Sequence, residues 1–298
     1  MSKIKYYLSS FRLRTLPMSL SGNILGTLLA KADGYLQWIP FCIAEAPTIC
    51  LQILSNLANE LGDLQKGTDN DKRLGPIRSI QSGALSVTEF KRIILVFILL
   101  SVVFGSGLVY SAFDSLFSSV GLTMLLLGAA AIIAAIKYTV GKKAYGYHGL
   151  GDLFVFLFFG LLSVMGAYFI MAHKINYLLF LPASAIGLLS AGVLNLNNMR
   201  DMDNDRRCGK RTLPVILGIH RAKVYHFSLI LGAWACMLTY TLLHYRTTVN
   251  LIFLFSLPLF IYHLLLVSRQ QGRLLDSQLK VLSLSTLLFA LLSGFGAI

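Results

Sequence analysis

The sequence predicts an all-α membrane protein, a multi-pass bundle of about nine transmembrane helices. Two features of the composition support this fold class: 56% of the 298 residues are hydrophobic and only 13% are charged. A soluble domain carries about a quarter charged residues, and the mean hydropathy here is +0.70. The apolar runs are long and show no strand-like alternation, which favours helices over a β-barrel.

Apolar runs of about 20 residues place the spans along the chain. They lie near residues 16–36, 39–59, 93–113, 119–138, 152–172, 177–197, 224–243, 249–267 and 280–298. In this order the N-terminus and the loops after the second, fourth, sixth and eighth spans share one side. All of the 26 Lys and Arg residues except Lys31, Lys174 and Arg246 fall on that side. Because basic loops mark the cytoplasmic side, the sequence predicts an integral membrane protein with its N-terminus in the cytoplasm.

The net charge of +13 follows from this distribution. The basic loops orient the protein and attract anionic lipid headgroups. Membrane lipid is therefore an expected partner, and nucleic-acid binding is not needed to explain the charge. The first span also has the outline of a signal peptide, but its Ser, Gly and Asn residues make a poor cleavable core. We therefore expect an uncleaved first helix.

Two polar, aspartate-rich segments interrupt the apolar chain, one at the end of the second span and one at the end of the sixth. Their Asn and Asp residues are Asn59, Asp63, Asp69, Asn197, Asp201 and Asp205. Because four spans separate the segments, both emerge on the same side of the membrane. This arrangement predicts a single domain, 1–298, in which residues 16–138 and 152–267 are a parallel duplication and 280–298 form a last helix.

Carboxylates at a membrane boundary are costly unless something pairs with them, so these segments are candidate functional sites. The regular spacing of the second segment aligns its three side chains on one face of a helix. In the first segment, Gly67 stands where the next carboxylate would fall, and we expect the helix to unwind there so that Asp69 folds back. Converging carboxylates repel one another, whereas Mg²⁺ binds carboxylate oxygens together with substrate phosphate; the segments therefore predict a magnesium site for a diphosphate. Nearby basic residues that can contact the phosphates are Lys66, Lys72, Arg73, Arg78, Arg200, Arg206 and Arg207.

These motifs and spans resemble the UbiA superfamily of intramembrane prenyltransferases over nearly the whole chain. The second segment has the Asn-x3-Asp-x3-Asp form that many members carry, whereas the first departs from it through Lys66, Gly67 and Asp69. The departure is similar to the branch that prenylates 1,4-dihydroxy-2-naphthoate in menaquinone biosynthesis. The further stretches that agree with this branch are residues 12–17, 74–76, 138–147 and 149–152.

The resemblance implies transfer of a polyprenyl group from polyprenyl diphosphate to 1,4-dihydroxy-2-naphthoate, with Mg²⁺ and basic residues stabilising the departing diphosphate. Attack by the ring carbon that bears the carboxylate, with loss of CO₂, gives a demethylmenaquinone-type product. It implies that the six Asn and Asp residues of the two segments hold the metal. The residues expected to be catalytic are Asp63, Asp69, Asp201, Asp205 and Lys137. Those expected to bind substrate are Asn59, Lys66, Arg78, Asn197, Arg12, Tyr138, Tyr145 and Asp152.

Two alternatives remain open. One is a prenyltransferase of the same fold that acts on another aromatic acceptor, such as 4-hydroxybenzoate; the Lys-Gly-Thr-Asp sequence of the first segment argues against it. The other is an ion-coupled transporter with parallel repeats, whose ion sites usually lie near the bilayer midplane rather than at one face. Under either enzyme hypothesis, Asp71 and Asp203 are expected to face solvent.

Overall fold

A computed structural model of the chain describes residues 3–298, and this part contains helices and loops without a strand. Eight of its helices are long and apolar enough to cross a membrane. Another helix, Leu16–Ala32, has 17 residues and packs among them. The predicted all-α bundle of about nine spanning helices is therefore confirmed. The duplication of residues 16–138 and 152–267 stays a prediction.

The helices follow the predicted order. They are α1 (Lys3–Phe11), α2 (Leu16–Ala32), α3 (Trp38–Gln65), α4 (Val87–Phe113), α5 (Ser119–Lys137), α6 (Gly151–Ala172), α7 (Phe180–Arg200), α8 (Met202–Arg207), α9 (Leu213–Leu243), α10 (Thr248–Arg269) and α11 (Asp276–Ala297). Helix α6 contains a π-helical segment, Phe156–Leu162. Gly218, with φ 76°, kinks α9 near its start.

Several helices extend beyond the apolar runs that predicted them. The second span was expected to end at Asn59, but α3 continues to Gln65. Helix α4 begins before the expected residue 93, because Ser86 and Glu89 form a capping box at its N-terminus. Hydropathy registers apolar residues and does not register polar helical turns, which explains both differences. The first aspartate-rich segment therefore begins inside a helix rather than after one.

Two hydrophobic clusters form the core of the bundle. The larger joins α2, α6, α7, α9, α10 and α11, and includes the fully buried Ile186 and Phe289. The smaller joins α3, α4 and α5 with the amphipathic α1, and includes Leu57 and Phe90. Helix α2 contacts both α3 and α7. Helix α2 thus connects the two clusters, and α3 and α4 also contact the second half of α6.

A cavity of about 660 Å³ lies between the two clusters. Apolar side chains of α4, α5 and α6 form much of its wall, among them Val109, Ile132 and Phe158. Polar side chains of α2, α3 and α7 line another part, and one end reaches Asn59 and Asn197 of the aspartate-rich segments. The cavity therefore offers an apolar chamber that opens beside a polar end.

Candidate active site

The two aspartate-rich segments meet at one end of the bundle. Arg73 bridges them, because its Nε lies 3.1 Å from Asp69 Oδ1 and its Nη2 lies 3.5 Å from Asp201 Oδ2. A second connection is the hydrogen bond that Asn204 Nδ2 donates to the Thr68 carbonyl oxygen, at 2.7 Å. The even number of intervening spans predicts that the two segments lie on the same side of the membrane. The structure agrees, because it places both at the same end of the bundle.

The first segment leaves its helix at Gly67. The φ of this residue is 70°, in the left-handed region, and a side chain there would meet no atom within 4 Å. The glycine is therefore required because its backbone conformation is left-handed, and not because a side chain would collide with neighbouring atoms. After it, the N–H groups of Thr68 and Asp69 both donate to the Asp63 carbonyl oxygen, at 2.9 and 3.3 Å. This turn returns Asp69 toward the end of α3, as the sequence predicts.

The second segment stays close to helical across the junction of α7 and α8. Asp201 breaks the helix with φ −97° and ψ 10°. The backbone bonds nevertheless continue, since the Asp201 N–H donates to the Asn197 carbonyl at 3.2 Å and the Asp205 N–H donates to the Asp201 carbonyl at 2.9 Å. The three side chains of the segment therefore follow one helical face.

Buried basic side chains pair with these carboxylates. The Lys210 ammonium lies 3.2 and 3.3 Å from the two Asp63 oxygens and is only 4% exposed. The Arg200 guanidinium, 1% exposed, donates from Nε to Asp201 at 3.1 Å and also contacts Asp276. Buried charges of this kind are tolerated only when each has a well-placed partner. The end of the bundle is thus a compact network of alternating acids and bases.

Tyr147 holds the first segment from the loop that follows α5. Its hydroxyl donates to Asp63 Oδ1 at 2.7 Å and lies 2.6 Å from Thr68 Oγ1. The Lys66 ammonium lies 3.7 Å from the centroid of the Tyr147 ring, and the Lys210 ammonium lies 5.1 Å from it. One aromatic side chain therefore positions a carboxylate and two cations.

Sequence reasoning missed Lys210 and Tyr147 as site residues. Lys210 follows the second segment after Gly209, and Tyr147 closes a loop rich in Lys and Tyr. The available signal for Lys210 was its nearness to the second segment, which many exposed loop residues share, and for Tyr147 it was its place in the stretch 138–147 that agrees with the family branch. Arg206 and Arg207, which precede Lys210, are exposed.

Burial and neighbouring basic groups together set the pKa values of three carboxylates of the aspartate-rich segments. Burial raises the pKa of Asp69, and it raises the pKa of Asp205 to about 7. Burial acts in the same direction on Asp201, but hydrogen bonding and charge from Arg200 outweigh it and lower the pKa of that carboxyl. A further cation near Asp69 or Asp205 would favour their ionised forms.

The carboxylates fit a magnesium ion that is shared with a phosphate. Within residues 3–298, no group of three acidic, histidine or cysteine side chains is arranged to hold a metal alone. Mg²⁺ usually takes only one or two carboxylates, with phosphate oxygens and water as its other ligands. Both oxygens of Asp69 are buried without a hydrogen bond, although Arg73 and Arg78 lie at 3.1 and 3.7 Å. These oxygens, together with those of the adjacent segment residues, match the donors that Mg²⁺ prefers.

Several other predicted residues border the cavity beside this network. Arg12 Nη2 donates to Asn59 Oδ1 at 2.8 Å, so the segment before α2 covers the end of α3. On the other side of the cavity, Asn197 Oδ1 accepts from Arg200 at 2.8 Å. Tyr145 also lines the cavity. The lining residues that the sequence proposed for substrate binding are Arg12, Asn59, Arg78, Tyr138, Tyr145 and Asn197.

The structure does not bring Lys137 or Asp152 to the network. Lys137 is exposed at the end of α5, and it forms no ion pair with an acid of residues 3–298. Asp152 is buried, but it accepts a hydrogen bond from the Tyr225 hydroxyl of α9 at 3.4 Å instead of lining the cavity. The start of α6 packs mainly against α7, and from there the Asp152 side chain reaches Tyr225 instead of the network. Asp71 and Asp203 are exposed, as the sequence predicts.

Comparison with known proteins places the chain in a family. It matches the UbiA prenyltransferase family over residues 19–293, and it belongs to that family. It is 40% identical to the 1,4-dihydroxy-2-naphthoate octaprenyltransferase of Escherichia coli (strain K12), over 97% of this chain and 95% of that one. A protein of the same description from Mycobacterium tuberculosis (strain ATCC 25618 / H37Rv) is 34% identical, over 82% of this chain and 80% of its own length.

Solved structures share the fold. The apo structure of a UbiA homolog from Aeropyrum pernix K1 has a TM-score of 0.70 at 18% identity, covering 93% of this chain and 96% of that chain. A UbiA homolog from Archaeoglobus fulgidus, bound to DMAPP and Mg²⁺, has a TM-score of 0.62 at 18% identity, covering 96% and 98%. Because the chain belongs to the UbiA prenyltransferase family and eight of its helices are long and apolar enough to cross a membrane, it is an integral membrane prenyltransferase, and the prediction of this enzyme class is confirmed.

Proposed function

We propose that the protein transfers a polyprenyl group from polyprenyl diphosphate to 1,4-dihydroxy-2-naphthoate, with loss of diphosphate and CO₂, in menaquinone biosynthesis. The observation that carries the proposal is the meeting of two acidic segments and their buried bases at the mouth of an apolar cavity. That arrangement suits a substrate with a phosphorylated head and an apolar tail. The choice of acceptor is supported by two relatives that are 1,4-dihydroxy-2-naphthoate octaprenyltransferases, and the chain matches each of them over nearly its full length.

The diphosphate would bind at the acid–base network. Arg73, Arg78 and Lys210 supply positive charge there, but each already faces a buried carboxylate. A diphosphate adds several negative charges, so further cations are needed for binding. Mg²⁺, held by oxygens of Asn59, Asp63, Asp69, Asn197, Asp201 and Asp205, would neutralise the diphosphate and favour its departure.

The apolar tail would lie in the cavity between the two clusters. The allylic C–O bond breaks, and its electron pair leaves with the diphosphate. Tyr138 and Tyr145 border the cavity near this point, and the Tyr145 ring stacks on Phe154 with centroids 4.0 Å apart. Aromatic faces attract cations, so these rings are suited to stabilise the allyl cation. The apolar wall withholds water that would otherwise capture it.

The acceptor ring completes the reaction without an oxidant. Its carboxylate-bearing carbon forms the new C–C bond to the allyl cation. The electron pair of the C–CO₂⁻ bond then returns to the ring, which restores aromaticity and releases CO₂. Atoms and charges balance in this scheme, and the product is a demethylmenaquinol, the reduced form of demethylmenaquinone.

The site would face the cytoplasm of a bacterial inner membrane. The N-terminal segment lies at the same end of the bundle as the acid–base network, since Arg14 pairs with Asp276 at 2.9 Å and Arg12 contacts Asn59. The loops at this end carry most of the basic residues, and basic loops mark the cytoplasmic side. The polar head of the polyprenyl diphosphate would then lie at the cytoplasmic face, and the water-soluble naphthoate would reach the site from the cytoplasm.

Membranes that contain the protein test this proposal directly. With labelled polyprenyl diphosphate and Mg²⁺, we expect prenylation of 1,4-dihydroxy-2-naphthoate and release of CO₂. A chelator should stop the reaction and added Mg²⁺ should restore it. Prenylation of 4-hydroxybenzoate in place of the naphthoate would contradict the proposed acceptor.

Substitutions test the site within the same assay. Asp63→Ala and Asp201→Ala should each abolish Mg²⁺-dependent turnover, because each removes a carboxylate of the network. Asp203→Ala is the matched control, since Asp203 lies in the same region but is exposed. Substantial turnover in both network variants would contradict the assignment of the metal site.

A further inference from the structure

The last helix contributes a carboxylate to the acid–base network. Asp276 is the first residue of α11 and belongs to neither aspartate-rich segment. Its carboxylate lies between two guanidinium groups, because Arg14 Nη1 lies 2.9 Å from Oδ2 and Arg200 Nη1 contacts Oδ1. Prenyl transfer itself leaves this carboxylate without a role, although Arg200 joins it directly to the second segment.

Arg200 connects Asp276 to two residues of the second segment. Its Nε donates to Asp201 Oδ1 at 3.1 Å, and its Nη2 donates to Asp201 Oδ2 at 2.5 Å and to Asn197 Oδ1 at 2.8 Å. Its Nη1 donates to Asp276. A guanidinium is planar, and its N–H groups have fixed directions. A carboxylate that holds Nη1 therefore also sets the directions in which Nε and Nη2 hold Asn197 and Asp201.

Asp276 also changes the balance of charge around Asp201. A second guanidinium faces Asp201, since Arg73 Nη2 lies 3.5 Å from its Oδ2. Arg73 and Arg200 are close neighbours, because a Cβ added at Gly75 would lie 2.7 Å from a nitrogen of each. Two adjacent cations repel a metal ion. Asp276 supplies Arg200 with a second anion, so the net positive charge around Asp201 is lower and its oxygens are better able to coordinate Mg²⁺.

The Asp276 carboxylate is itself held in place from two helices. Arg14 precedes α2, and α2 packs along α11. The N–H of Met18, in the first turn of α2, donates to Ser283 Oγ of α11 at 3.1 Å. This bond fixes the start of α2 against α11 and keeps Arg14 beside Asp276. The carboxylate is thus a fixed point that orients Arg200.

We propose that Asp276 is a positioning residue of the magnesium site, which acts through Arg200 on Asn197 and Asp201. This inference rests on the proposed function, because it assigns a role toward the metal that the prenyl transfer requires. A role confined to helix stability is the alternative, since an acid in the first turn interacts favourably with the helix dipole. Loss of the dipole interaction lowers stability and leaves the Mg²⁺ requirement unchanged, whereas loss of the positioning role raises that requirement.

The test measures the Mg²⁺ requirement of the purified full-length protein without turnover. Polyprenyl diphosphate is saturating, the acceptor is omitted, and thermal unfolding is followed as Mg²⁺ is added. Asp276→Asn keeps the shape of the side chain and removes its charge. The Mg²⁺ concentration for half-maximal stabilisation should rise about tenfold, the effect of losing a group that orients a metal ligand. Asp276→Glu keeps the charge and should need less Mg²⁺ than Asp276→Asn. Ser277→Ala is the matched control, because Ser277 is the next residue of α11 and is exposed.

A double-mutant cycle tests whether Asp276 acts through Arg200. Arg200→Met removes the connection, so adding Asp276→Asn to that variant should cause no further rise in the Mg²⁺ requirement. Additive effects of the two substitutions would overturn the inference. Arg14→Gln tests the same connection from the other side, because it removes one partner of Asp276 and leaves Arg200 with all of its carboxylates. It should raise the Mg²⁺ requirement less than Asp276→Asn does.

The outcomes separate this inference from the proposed function. Equal Mg²⁺ requirements in the wild type, Asp276→Asn and Arg14→Gln would overturn the inference and leave the proposed function intact. A lower unfolding temperature of Asp276→Asn with an unchanged Mg²⁺ requirement would also overturn it, since helix stability alone explains that result. A wild-type protein that Mg²⁺ does not stabilise would contradict the metal site, and with it both proposals.

Discussion

Replacement of Tyr147 by Phe is the most informative single substitution at the network. The change removes the hydroxyl that donates to Asp63 Oδ1 at 2.7 Å and pairs with Thr68 at 2.6 Å. It keeps the ring against which the Lys66 ammonium lies, at 3.7 Å from the centroid. The substitution therefore separates the positioning of the carboxylate from the positioning of the cation.

The expected size of the effect follows from what remains around Asp63. Loss of a residue that orients a metal ligand typically lowers metal affinity about 10- to 100-fold. Lys210 would still contact both Asp63 oxygens, at 3.2 and 3.3 Å. The effect should thus lie near the lower limit, about tenfold or ~1.4 kcal/mol.

A magnesium titration of the initial rate measures this effect. With both substrates saturating, Tyr147→Phe should need about tenfold more Mg²⁺ for half-maximal turnover, and excess Mg²⁺ should recover the maximal rate. Tyr177→Phe is the control, since Tyr177 is 76% exposed and lies beyond the opposite end of α7. A half-saturating Mg²⁺ concentration equal to that of the wild type would refute the role assigned to the Tyr147 hydroxyl.

The remaining predictions concern charge balance and helix packing, both measured from the thermal unfolding of the purified protein. Arg73→Met removes the cation between Asp69 and Asp201, so it should destabilise the ligand-free protein by about 3–5 kcal/mol. It should also enlarge the stabilisation that Mg²⁺ provides. A Mg²⁺ stabilisation equal to that of the wild type would contradict the role of Arg73 in bridging the two carboxylates. Gly160→Ala would place a Cβ 2.5 Å from Gly187 Cα, and we expect a loss of about 1–3 kcal/mol. Gly105→Ala is the control, because its added Cβ meets no atom within 4 Å. Equal thermal stability of the two glycine variants would count against the close α6–α7 contact.

The spans can be predicted because each is a contiguous apolar run whose length is set by the bilayer. The unwinding at Gly67 can be predicted as well, because it interrupts a regular spacing and only its own backbone conformation is involved. The polar ends of helices such as the last turns of α3 escape this reasoning. Their extent depends on capping and on ion pairs that form after the chain has folded.

The partners of the carboxylates depend on contacts that sequence separation conceals. Tyr147 and Lys210 contact Asp63 across separations of 84 and 147 residues. Nothing in the spacing of the motif distinguishes Lys210 from the exposed Arg206 and Arg207 that precede it. The expected contributions of Lys137 and Asp152 illustrate the same problem, because closeness to a motif or a span end did not determine where the side chain lies.

The amino-acid sequence alone determined that this protein is a helical membrane bundle with two acidic segments on one side. Those properties arise from local composition and from the parity of the intervening spans. Only the tertiary structure decided which bases neutralise which acids. The physical reason is that a buried charge or amide acquires its role from the few groups packed around it, and helix packing selects those groups from distant parts of the chain.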